Sequence, residues 1–254
     1  MFVYDIASKT TTSITTDGKK NSIINGITDW VYEEEFAFVK AFDWSADSKK
    51  IAFIRFDESE DPEFSMSIFQ KELYPKVETF KYPKAGEKNA VVSLHIYDVA
   101  SQTKKDVNLG NYNDFYIARM QWTNDANVLS AQVLNRHQDN LDLLFIDGTT
   151  AAAKVVLNEK DKAYIDVTDN LTFLKDNSFI WTSEKDGFNH IYLYDKTGKL
   201  INQVTKGNWE VTNYYGFDEK TKTIFYQSVE NGSINRGIYR IGLDGKNKVR
   251  LSSK

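Results

Sequence analysis

An apolar strand closed by an aspartate and a polar turn recurs along this 254-residue chain, and the recurrence limits its fold more than any single element could. It reads "VYDIAS" at Asp5, "IYDVAS" at Asp98, "LFIDGT" at Asp147, "LYDKTG" at Asp195 and "IGLDGK" at Asp244, at successive intervals of 93, 49, 48 and 49 residues. Aspartate suits the position because its carboxylate accepts from nearby backbone N–H groups, and glycine tolerates the positive φ that tight turns need. A second pattern, strand then turn then strand, runs ahead of the first in "FDWSADSKKIAFIRF", "MQWTNDANVLSAQVL", "LTFLKDNSFIWTS" and "YGFDEKTKTIFYQS". Together they give about four strands per unit, with the length and turn spacing of a propeller blade. A β-sandwich with fortuitous spacing is the rival architecture.

The expected fold is therefore all-β: a partial β-propeller of about four four-stranded blades plus a partial blade, since residues 1–20 supply only the outer strands of one unit. The long first interval holds two additions. One is an acidic stretch after Ile27; the other is an excursion over residues 57–89, with Asp57 and Asn89 at its ends. An insertion that leaves the core period intact is usually a loop carrying function. The opening "FVYDIAS" reads as the interior of a strand, so residues 1–254 are expected to be one partial propeller region cut from a longer protein.

With 41% hydrophobic residues the chain can bury a substantial core, and a formal charge of −4 offers no basic excess to neutralise phosphates. Nucleic acid is therefore not an expected partner. No apolar run approaches the roughly 18 residues of a membrane helix, and "MFVYDIASKT" lacks the basic and apolar regions of a signal peptide. The absence of cysteine removes thiol nucleophiles, disulfides and thiolate metal ligands together. No metal or cofactor is expected.

The acidic stretch "TDWVYEEEFAF" calls for a short helix, with Asp29 as its N-cap and acids favoured by the helix dipole. Neighbouring helical side chains stand about 100° apart, so Glu34 and Glu35 can face one cavity, whereas a strand would send them to opposite faces. Two carboxylates about 5 Å apart repel by roughly 3 kcal/mol at an effective dielectric of 20, which a bound ammonium would offset. On chemistry alone the triplet is either a solvated helix start or half of a site for something cationic.

Five motifs in order, "NGITDWVYEEEF" with "WS" soon after, "YPKAGEKN", "LNRHQDNLDLLF", "SEKDGFNHIYLY" and "VTKGNWEV", resemble the propeller region of the dipeptidyl peptidase IV family, including its bacterial members, and the similarity covers essentially the whole chain. The resemblance implies an eight-bladed propeller over an α/β-hydrolase domain of the prolyl oligopeptidase type. It also implies a short blade-inserted helix whose double glutamate binds the free α-ammonium of a peptide, so that the bond after residue two, usually Pro or Ala, reaches a serine. On "WVYEEEF" that pair falls on Glu34 and Glu35, with Glu33 as a capping or supporting acid and Trp30 as a flanking brace. "KAYIDVTDNLTFL" is similar to the family's loop near the cleft, which makes Tyr164 and Asp166 candidate rim residues. The excursion at 57–89, with Met66, Ile68, Phe69, Leu73 and Val77, resembles an arm used for dimer formation; a hairpin folded back on its own propeller is the alternative. A periplasmic or extracellular location is likewise implied.

Departures from the family matter as much. No G-x-S-x-G occurs, and the three histidines, His95, His137 and His190, lack the framework of a Ser-His-Asp triad, each reading as structural or exposed. The hydrolase domain and the earlier blade carrying a substrate-clamping arginine are not represented. The chain by itself is expected to bind peptide weakly and cleave nothing. "FDESEDPE" lacks the ligand order of a calcium loop and reads as a solvated acidic loop. "NLT" at Asn170 and "NGS" at Asn231 are too short to interpret. Trp44 and Trp122 occupy equivalent repeat positions and are expected in the packing between blades. A prolyl tripeptidyl peptidase and a non-catalytic propeller serving as an interaction platform are the rival functions.

Overall fold

The computed structural model describes residues 1–253. It opens with a hairpin of β1 (Phe2–Asp5) and β2 (Thr10–Ser13). Then come β3 (Ile23–Asn25), helix α1 (Trp30–Glu35), β4 (Phe42–Trp44) and β5 (Lys50–Asp57). A second hairpin, β6 (Glu63–Ile68) and β7 (Lys76–Lys81), separates β5 from β8 (Val91–Asp98) and β9 (Thr103–Asp106). The first blade sheet runs β3-β5-β8-β9, with β4 also paired to β5. The next holds β10 (Phe115–Trp122), β11 (Val128–Asn135), β12 (Asn140–Asp147) and β13 (Ala153–Lys160) in sequence order. After it come β14 (Thr172–Phe173), β15 (Phe179–Ser183), β16 (His190–Tyr194) and β17 (Leu200–Gln203), again in order. The last sheet is β18 (Val211–Asp218), β19 (Thr223–Ser228), β20 (Gly237–Gly242) and β21 (Val249–Arg250). The fold class is an all-β partial propeller: four blade sheets and two two-stranded hairpins, β1-β2 and β6-β7, among the described residues.

The repeated aspartates close these sheets as the sequence implies. Asp98 Oδ1 accepts from the N–H of Ser101 at 2.8 Å and from its hydroxyl at 2.9 Å. Asp147 Oδ1 accepts from the N–H groups of Thr149 and Thr150 at 2.9 and 2.6 Å. Asp195 Oδ1 accepts from Thr197 and Lys199 N–H groups at 2.8 and 3.0 Å. Bonds to the ionised form hold all three carboxyls below the usual range.

Internal packing divides the chain into two compact units. The first comprises Met1–Trp122, Ala126–Arg136 and Leu144–Lys154; the second comprises Thr123–Asp125, His137–Leu143 and the chain from Val155 onward. In the first, α1 interrupts one strand position: Ile23–Asn25 pairs with Asp57–Arg55 of β5, while Phe42–Trp44 pairs with Phe53–Ile51. The insertion therefore leaves and rejoins the same edge of β5. Its stem is zipped by Ala41 N–H to Gly26 O at 3.1 Å and Thr28 N–H to Val39 O at 3.2 Å. The core of this unit gathers Ile51, Phe53 and Tyr97 of the blade with Ile14.

The two tryptophans at equivalent positions part company. Trp122 is buried, its backbone N–H reaching Asp43 Oδ2 and its indole N–H reaching Asp43 O, both at 3.1 Å. Trp44 is 38% exposed and lines an open apolar cavity with Met1, Phe2 and Phe42. Its expected place in the packing is not borne out: it borders an open cavity beside β1, whereas Trp122 is held against β4.

In the second unit, Ile180, Ile191, Val211, Ile224 and Tyr226 build one core. β15 and β16 are buried at every residue, as strands covered on both faces must be. Gly198 ends the "DKTG" turn at φ 87°, where a Cβ would stand 1.7 Å from Val156 O of β13. Only glycine fits there.

Candidate functional site

α1 begins where Asp29, buried and extended, accepts the Tyr32 N–H on Oδ1 at 3.0 Å. Asp29, not Glu33, is thus the cap. Val31, Tyr32 and Phe36 turn inward, and the Tyr32 ring lies 4.8 Å from Phe56 and 5.1 Å from Phe36. Its hydroxyl accepts the N–H of Ile117 at 2.9 Å, beside a bulge where β10 skips Ala118 in its pairing with β11. With the inward face taken up in this way, Glu33, Glu34 and Glu35 are left outward, all exposed. At about 100° per residue they sweep roughly 200° of the helix surface. Among the described residues no hydrogen bond or ion pair engages their carboxylates.

Trp30, the first residue of the helix, is half-buried, its ring 4.2 Å from that of Tyr82 just beyond β7. Behind it the expectation of a solvated acidic loop holds for Ser59, Glu60 and Glu63 but fails at two of its acids. Glu58 and Asp61 are buried, 6% and 5% exposed. The loop folds inward because its backbone is bonded from within: Glu58 N–H to Ser22 O at 2.8 Å and Asp61 N–H to Glu58 O at 3.0 Å. Loss of water, with the charges of Asp29 and Asp61, pushes Glu58 up to about 7. Burial raises Asp29 and Asp61 to about 6, the Lys81 charge opposing it at Asp61. Tyr82, Glu58 and Asp61 were not singled out by the sequence; the only signal was the proximity of "YPKAG" and "DESEDP" to one insertion.

In the second unit Tyr164 and Asp166 line a cavity of about 280 Å³ with Glu159, Thr168, Thr182 and Lys185. Tyr164 is exposed at its rim. The Lys185 amine donates to Tyr194 Oη at 2.5 Å and lies 3.9 Å from the centre of the Tyr192 ring. Glu159 accepts the Trp181 indole N–H at 3.0 Å. Burial raises the Glu159 carboxyl and lowers the Lys185 amine. Such a cavity offers acidic and hydroxyl groups to a polar guest.

The histidines need a partial correction. Ser93 Oγ and His95 Nε2 are hydrogen-bonded at 2.8 Å, and His95 Nδ1 and Asp106 Oδ1 at 2.7 Å, which is the connectivity of a triad. Strand geometry produces it: residues 93 and 95 share a face of β8, and Asp106 is the partner of His95 on β9. Ser93 nevertheless sits mid-strand opposite Arg55, not on the sharp strand-to-helix turn that exposes a serine nucleophile. His95 is buried and stacked on Phe53 at 5.1 Å. His190 is fully buried between Thr205 Oγ1 at 3.1 Å and Gly207 O at 3.0 Å, and His137 is exposed.

Residues 1–254 match the family described as the dipeptidyl peptidase IV N-terminal region. The crystal structure of Porphyromonas gingivalis dipeptidyl peptidase 4 superposes with a TM-score of 0.94 at 43% identity, covering all of this chain and 36% of that one. Dipeptidyl aminopeptidase B of Saccharomyces cerevisiae is 30% identical over 98% of this chain and 32% of its own length. "Probable dipeptidyl-aminopeptidase B" of Coccidioides posadasii is 31% identical over 96% of this chain and 30% of its own. The chain thus spans about a third of the length of these relatives.

Proposed function

The chain belongs to the dipeptidyl peptidase IV N-terminal region family, and on that premise we propose that it is the substrate-recognition and gating region of a serine exopeptidase that removes N-terminal dipeptides. An α/β-hydrolase domain outside this chain supplies the serine. Glu34 and Glu35 hold the α-ammonium of the peptide, and Tyr164 and Asp166 contribute to the rim of the cleft. What supports this reading most is α1 itself: a capped helix whose buried residues are tied down while its carboxylates stand outward with no cation among the described residues to satisfy them. A free ammonium supplies the missing charge; an internal peptide amide has none to offer.

The test is kinetic, in the full-length protein. A hydrogen bond to a charged group contributes about 1.5–3 kcal/mol, so Glu34→Gln and Glu35→Gln should each lower kcat/KM by about tenfold to a hundredfold on a Gly-Pro amide. Glu33→Gln should cost far less, and N-acylated substrates should feel none of the three. Equal, small effects at all three positions would leave only a solvated helix.

The same reading takes the β6–β7 hairpin as a self-association surface. Phe69, Leu73, Tyr74 and Val77 are exposed on it, as few apolar groups are without a partner. Replacing residues 66–79 by a tight turn should abolish any dimer seen in sedimentation while leaving the β-sheet signal intact. A dimer that persists would remove the hairpin from the interface.

A further inference from the structure

We propose that the root of the β6–β7 hairpin, through Tyr82, Glu58 and Asp61, positions α1 and so sets where Glu34 and Glu35 stand. Three sets of contacts meet there. Trp30, Tyr82, Phe64 and Phe80 form a continuous run of rings, with centroids 4.2 Å apart for Trp30 and Tyr82, 5.5 Å for Tyr82 and Phe64, and 5.9 Å for Phe64 and Phe80. The hairpin's aromatic stack thus ends on the first residue of the helix. The loop between β5 and β6 is bonded on both sides: Glu58 N–H reaches Ser22 O, next to β3, while the Lys81 amine reaches Asp61 O at 2.8 Å and Ser59 O at 3.2 Å. Tyr82 N–H closes the root on Pro62 O at 2.9 Å. Finally, the helix cap Asp29 shares its buried surroundings with Glu58 and Asp61.

The groups facing this root are Asp29 at the helix cap, Asp57 at the end of β5, Glu58 and Asp61 from the loop, Glu63 from β6, and Lys81 and Tyr82 from the end of β7. The Lys81 amine lies 3.7 Å from Glu63 Oε1, and Arg55 is held by Asp17 at 2.8 Å and Asp57 at 3.6 Å. Acids outnumber bases, so the root packs best when some carboxyls carry protons. Asp29, Glu58 and Asp61 all have folded pKa values raised above those of the unfolded chain. Their stabilisation is accordingly complete below about pH 4 and fades as pH rises through 6 to 7. The helix should therefore be held more firmly at pH 5 than at pH 8.

Two readouts test this in the full-length protein. The fluorescence of wild type minus that of Trp30→Phe isolates the indole on Tyr82. That difference should titrate with a midpoint between pH 6 and 7, and should lose most of its amplitude in Glu58→Gln/Asp61→Asn, where Asp29 alone is left to titrate. Tyr82→Leu should raise KM for a Gly-Pro amide about threefold to tenfold with kcat within twofold, and Tyr82→Phe should restore it. A merely structural tyrosine would lower the amount of folded enzyme and leave KM alone. A wild-type difference signal that is constant from pH 5 to 8, or a Tyr82→Leu enzyme with unchanged KM, overturns the proposal. The kinetic arm rests on the ammonium reading. If Glu34→Gln and Glu35→Gln also leave KM unchanged, that reading has failed, and the Trp30 signal alone decides whether the root positions the helix.

Discussion

The hydroxyl of Tyr32 accepts the backbone N–H of Ile117 at 2.9 Å, joining the glutamate-bearing helix to a strand 85 residues further along the chain. Both partners are fully buried, so neither can turn to water instead. Tyr32→Phe keeps the aromatic packing and leaves the Ile117 N–H alone. It should cost about 1–3 kcal/mol, the desolvation penalty of an unsatisfied group, read as a lower urea midpoint. Faster amide exchange in α1 should accompany it, since the helix loses its anchor.

The two tryptophans at equivalent repeat positions should respond differently to the same change. Trp122→Phe removes the indole N–H bonded to Asp43 and part of a buried ring, which should cost about 1–3 kcal/mol. Trp44→Phe changes an exposed ring and should stay within about 0.5 kcal/mol. Equal costs in chemical denaturation would show that Trp44 is covered in the full-length protein.

Glycine substitutions separate backbone conformation from close approach. Gly198→Ala combines a left-handed φ of 87° with a Cβ driven into Val156 O, and should destabilise by more than about 2 kcal/mol. At Gly187 φ is 100° but nothing lies within 4 Å of the added carbon, so Gly187→Ala should cost about half as much or less. Thermal midpoints of the two variants measured side by side give the comparison directly.

The turn aspartates and the buried acids give pH dependences of opposite sign. Asp98, Asp147 and Asp195 have folded pKa values below the unfolded ones. Their stabilisation is therefore present above about pH 4 and is lost as pH falls through the lowered values. Asp147→Asn should be less stable than wild type at pH 6 but should lose less stability between pH 4.5 and 2.5. Parallel urea midpoints for the two proteins across that range would show that the Thr149 and Thr150 bonds do not depend on the charge.

The blade period, the turn aspartates and the existence of α1 were legible in the residues because each rests on local physics. Strand alternation, carboxylate acceptance within three residues of Asp98 or Asp147, and the Asp29 cap are settled by neighbours in sequence. The order of motifs also identified the family, and with it the roles to test at Glu34 and Glu35. Less was legible wherever burial decides. Glu58 and Asp61 look like solvated acids in "DESEDP", and only the bonds from Ser22 and Lys81 draw them inward. Trp44 and Trp122 look alike in sequence, and only their tertiary neighbours, an open cavity for one and Asp43 of β4 for the other, make them different. Ser93, His95 and Asp106 form a hydrogen-bonded series because the pairing of β8 with β9 sets residue 106 opposite residue 95. Local propensity chose the elements, whereas desolvation and cross-strand pairing depend on groups far along the chain, so those properties exist only once the sheets have assembled.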